Sequence, residues 1–87
     1  MAGEHLLIID DSIAVGSLLA NEILPYGGYR ATAALGGEEG LEIVRAVKPD
    51  LILCDLEMPG INGLEVIRVL RDEGIETPAI MMTANRY

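Results

Sequence analysis

Pro49-Asp50-Leu51-Ile52-Leu53-Cys54-Asp55-Leu56-Glu57-Met58-Pro59-Gly60-Ile61-Asn62-Gly63-Leu64-Glu65 is the stretch on which the fold turns. Leu51 to Cys54 is apolar without alternation, the pattern of a strand buried on both faces, as in a parallel sheet covered by helices. That run stops at a carboxylate, Asp55. The segment from Glu57 to Gly63 is rich in proline and glycine and reads as a loop. A helix from Leu64 to about Glu73 follows, with Leu64, Ile67 and Leu70 at helical spacing, and Gly74 ends it.

The same order repeats upstream. Leu6 to Ile9 is a second unbroken apolar run, ending at Asp10 and Asp11. Ser12 suits the cap of a helix through Ile13, Ala14, Val15, Leu18, Leu19, Ile23 and Leu24, which Pro25 and Gly27-Gly28 are expected to stop. Tyr29 to Ala34 is a weaker strand, and Gly36-Gly37 opens a helix with Glu38 and Glu39 in its first turn, where carboxylates complement the dipole. Leu41, Val44 and Val47 give that helix an apolar face. Lys48-Pro49-Asp50 is the turn into the central strand. Downstream, Thr77-Pro78 leads into a last strand, Ala79 to Met82, with Thr83 at its carboxyl end. Strand and helix alternate three times before this strand, which predicts an α/β domain with a parallel sheet, right-handed crossovers and helices on both faces.

The 87 residues suffice for one domain, residues 1–87, and 51% of them are apolar or aromatic with no Phe or Trp, so the core is aliphatic. A net charge of −8 repels phosphate backbones and anionic lipid and argues against direct nucleic-acid binding. Cys54 is the only cysteine, which excludes an internal disulfide. No stretch suits a signal peptide or a membrane span, and the cytoplasm is the expected location.

In open α/β sheets ligands bind beyond the carboxyl ends of the strands, where Asp10, Asp11, Asp55 and Thr83 all fall. Carboxylates brought together repel unless a cation neutralises them, and oxygen-only ligands with room for water and phosphate favour magnesium. An aspartate beside such an ion is a candidate nucleophile toward an activated phosphoryl donor.

Three segments, Leu-Leu-Ile-Ile-Asp-Asp-Ser (6–12), Pro-Asp-Leu-Ile-Leu-Cys-Asp-Leu-Glu-Met-Pro-Gly-Ile-Asn-Gly-Leu-Glu (49–65) and Pro-Ala-Ile-Met-Met-Thr-Ala (78–84), resemble the receiver domain of two-component response regulators. The resemblance implies a flavodoxin-like doubly wound sheet, here truncated to four strands in the order 2-1-3-4 with three helices. It implies Asp55 as phosphoacceptor, Mg2+ held by Asp10, Asp11, Asp55 and the Glu57 main-chain carbonyl, and Thr83 bonding the phosphate. The donor would be a histidine kinase or phosphotransfer protein, and the module would signal rather than act as an enzyme. Asp55-Leu56-Glu57 is also similar to the Asp-x-Asp nucleophile of haloacid-dehalogenase-like phosphatases, which carry it on an earlier strand.

The family pattern continues past Thr83 with a helix, a fifth strand bearing a lysine and a fifth helix, none of which falls within the 87 residues. The last strand is then expected to be a sheet edge, and the first helix, apolar around most of its circumference, is expected to be buried on more than one side. Both features predict a homodimer or higher oligomer through the edge strand and first helix. The missing lysine and switch elements also leave open a degenerate receiver that associates without phosphoryl chemistry.

Overall fold

In the computed structural model residues 3–82 are described, and they contain four parallel strands in one sheet. The strands are β1 (His5–Ile9), β2 (Arg30–Ala34), β3 (Leu51–Asp55) and β4 (Ala79–Met82), and the sheet order is β2-β1-β3-β4. Each expected strand is present, with shifts of one residue at the starts of β1 and β2. Ile9 pairs with Cys54 and Cys54 with Met81, so one step further Asp10 comes level with Asp55.

Residues alternate between the two sheet faces. On one face Leu7, Ile9, Ile52 and Cys54 pack with Leu41 and Val44 of α2 (Gly37–Val47) and with Val66 and Leu70 of α3 (Gly63–Asp72), forming the main core. Gly40 lets α2 lie close to β1, since a Cβ on it would lie 2.5 Å from Ile9 Cδ1 and that buried side chain would have to shift. Across the sheet lie α1 (residues 13–26) and a cleft of about 590 Å³ lined by Leu6, Leu24, Tyr29, Leu51 and Leu53 with Glu4 and Asp50 at its rim. His5 opens β1, its backbone N–H donating to Asp50 Oδ2 at 2.8 Å and its ring Nε2 lying 2.7 Å from Thr32 Oγ1.

The helix starts follow from local chemistry. Ser12 Oγ accepts the Val15 N–H at 3.3 Å, and Asn62 and Glu65 form a reciprocal capping box with both bonds at 2.9 Å. Glu39 reaches back to the Leu35 N–H at 2.7 Å, and Lys48 ends α2 in the left-handed region.

Helix α1 departs from expectation in two ways. It is built of an α-helical segment Ile13–Leu18, a π-helical turn Leu19–Ile23 and a closing α turn Leu24–Tyr26, so Pro25 lies inside the helix rather than stopping it. Nor is it buried all round: Gly16 alone is buried in its first segment, while Ile13, Val15, Leu18 and Ile23 face outward. The apolar surplus on its circumference therefore stays at the surface of this chain.

Candidate metal centre

Asp10 follows β1 directly and extends the ladder, its N–H donating to the Ala34 carbonyl at 3.0 Å. Its Oδ1 accepts the Ser12 N–H at 2.8 Å, a bond that both turns the chain into α1 and fixes the carboxylate. Its side chain is only 8% exposed, whereas the neighbouring Asp11 faces solvent. Asp55 is the last residue of β3 and is half-buried, with Oδ1 accepting the Glu57 N–H at 3.2 Å. Asp10, Asp11 and Asp55 each offer a carboxylate oxygen within 4.8 Å of the others.

The loop beyond Asp55 is held against the strand ends. The Leu56 N–H donates to the Met82 carbonyl at 2.8 Å, and the Gly63 N–H donates to the Leu56 carbonyl at 3.1 Å. A Cβ on Gly63 would stand 2.5 Å from the Asp55 carbonyl oxygen and 3.1 Å from Leu56 Cα, both backbone atoms that cannot swing aside. Only glycine lets α3 start so close to the end of β3.

Burial holds the Asp10 carboxyl above its ordinary value of 3.8. The Ser12 N–H works against that shift, and the charges of Asp55 and Asp11 add to it. A cation among the three oxygens would reverse that balance at Asp10 by replacing repulsion with attraction. The donor set contains no imidazole. The Cys54 thiol is buried in the core with its pKa pushed up to about 11, first by desolvation and then by Asp55 and Asp10, so it stays neutral. Hard oxygen ligands alone fit magnesium, manganese or calcium.

Of the expected site residues, the fold brings Asp10, Asp11 and Asp55 together. Glu57 is exposed and contributes its N–H to Asp55, and Thr83 lies outside the described residues. Two supporting features, the Asn62–Glu65 capping box and Gly63, are not apparent from the sequence reading. The Asn62-x-x-Glu65 spacing carried the signal for the capping box. Nothing local marked Gly63, whose necessity depends on where β3 ends.

Residues 6–87 match the family described as the response regulator receiver domain. The chain belongs to this family. This receiver is 38% identical over 86 residues to sporulation initiation phosphotransferase F of Bacillus subtilis, a match covering 97% of the chain and 67% of that protein. It is 41% identical over 83 residues to the DNA-binding response regulator MtrA of Mycobacterium tuberculosis, covering 93% of the chain and 35% of MtrA. The chain thus spans about a third of MtrA's length. The receiver also superposes on response regulator TrrA of Thermotoga maritima, solved in complex with Mg2+-BeF, with TM-score 0.86, 36% identity and coverage of 94% of this chain and 70% of that one. The receiver fold, with Asp55 on its third strand, replaces the haloacid-dehalogenase-like reading. Among the described residues no helix is long and apolar enough to cross a membrane.

Proposed function

We propose that residues 1–87 act as one phosphoacceptor domain of a two-component system. Asp55 accepts a phosphoryl group from the phosphohistidine of a histidine kinase or phosphotransfer protein, and the chain serves as signalling substrate rather than enzyme. Asp10, Asp11, Asp55 and the Glu57 main-chain carbonyl hold Mg2+, and the Thr83 hydroxyl bonds a phosphate oxygen. The observation that carries this reading is the meeting of three carboxylates within 4.8 Å, one of them buried.

A carboxylate oxygen of Asp55 attacks phosphorus in line. The new P–O bond forms as the P–N bond breaks, and the electron pair leaves on the donor imidazole. Mg2+ held by these oxygens would supply charge neutralisation for the transferring group. Asp10, fixed by the Ser12 N–H, orients the cluster, and the Glu57 N–H keeps one Asp55 oxygen engaged so that the other is free to react. The similarity to a receiver solved with Mg2+-BeF supports the choice of metal. A location in the cytoplasm accords with the single buried free thiol.

The test is incubation with a small phosphodonor and Mg2+, followed by intact-mass measurement. One added phosphoryl group is expected on the wild type and none on Asp55→Asn. Absence of modification on the wild type would contradict the proposal.

A second reading, association between copies, draws on a different observation. Strand β4 is uncharged and lies at the sheet edge among the described residues, with Ile80 52% exposed, and α1 presents Ile13, Val15, Leu18 and Ile23. Through these surfaces a homodimer or higher oligomer is expected by light scattering at micromolar concentration, and a monomer there would refute it.

A further inference from the structure

Two turns of an ideal α-helix take about 7.2 residues, so the residue seven after Gly16 should share its line along the sheet. Gly16 is buried with its Cα side close to Ala33 of β2, where an added Cβ would lie 3.3 Å from the Ala33 Cβ. The residue seven on is Ile23, yet Ile23 is 50% exposed. Leu24, one position later, takes the inward place and lines the cleft with Leu6, Leu51 and Leu53. The π turn Leu19–Ile23 accounts for the exchange. The Leu24 N–H donates to the Leu19 carbonyl, five residues back, and the extra residue in the turn rotates all that follows.

Pro25 selects this register. In a continuous α-helix its ring would collide with the carbonyl of Asn21, and it has no N–H to give that carbonyl. Widening the preceding turn by one residue moves the carbonyl away. Ile23 and Leu24 are both aliphatic and similar in volume, so either can fill the cleft, and the two packings differ chiefly in what the helix backbone permits.

We infer that Pro25 fixes α1 in the π register, with Leu24 in the cleft and Ile23 outside, and that without this proline the helix would take the α register and exchange the two residues.

Single cysteines at residue 23 or 24, labelled with a thiol reagent under native conditions, test the inference, with the buried Cys54 as an internal measure of folding. Ile23→Cys is expected to label at least tenfold faster than Leu24→Cys, and the order is expected to reverse when each is combined with Pro25→Ala. Urea unfolding provides a second reading: Leu24→Ala should lower the midpoint more than Ile23→Ala, and Pro25→Ala should invert that order too. Equal labelling of the two positions in the Pro25 background would overturn the inference, as would an order unchanged by Pro25→Ala.

Discussion

Asp10 is the residue on which the site's electrostatics turn. Its folded pKa lies above the unfolded value of 3.8, so in metal-free protein its contribution to stability is present below that value and is lost as pH rises through the folded pKa. At neutral pH its charge therefore opposes folding. Asp10→Asn, which keeps the oxygen that accepts the Ser12 N–H, is expected to raise the urea midpoint in chelator. It should also abolish the stabilisation by Mg2+, which for the wild type reaches about 2.7 kcal/mol at one hundred times Kd. A midpoint lowered in chelator would contradict this account. Cys54 follows the same sign at higher pH: its thiol ionises near 9.0 when unfolded and near 11 when folded, so stability should fall between those values. Cys54→Ala should flatten that slope in urea titrations. At Gly63 the obstacle is backbone, and Gly63→Ala is expected to cost roughly 1–3 kcal/mol by urea unfolding and to weaken Mg2+ binding as Asp55 is displaced.

At the scale of elements, the four strands were legible because unbroken apolar runs ending in turn residues have few other readings. Helices α2 and α3 were legible from their apolar spacing, although the residues that anchor α3 became plain only in three dimensions. Asn62→Ala removes half of the capping box and is expected to destabilise the fold by about 1 kcal/mol in urea. An effect near zero would mean that the first turn of α3 is held by the loop alone. Helix α1 was the least legible element. Its apolar residues cover too much of the circumference to indicate an inward face, and proline reads locally as a stop. Whether a π turn can absorb that proline depends on contacts with β2 that the sequence does not display.

In the whole molecule, parallel register does most to make the site. Asp10 and Asp55 lie 45 positions apart in the chain, and they meet because Ile9 pairs with Cys54 across β1 and β3. The sequence could place both acids at strand ends, but their mutual distance needed the register. Glu57 illustrates the remainder, since the part proposed for its carbonyl follows from no side-chain pattern. The claim joining these scales is that the three carboxylates make one divalent-cation site serving Asp55 as acceptor. Fluorine NMR of the chain with beryllofluoride, a mimic of the phosphoryl group, tests it most directly. A protein-bound signal is predicted in Mg2+, lost on adding EDTA and absent from Asp55→Asn. No bound signal in Mg2+, or the same signal from Asp55→Asn, would contradict the account.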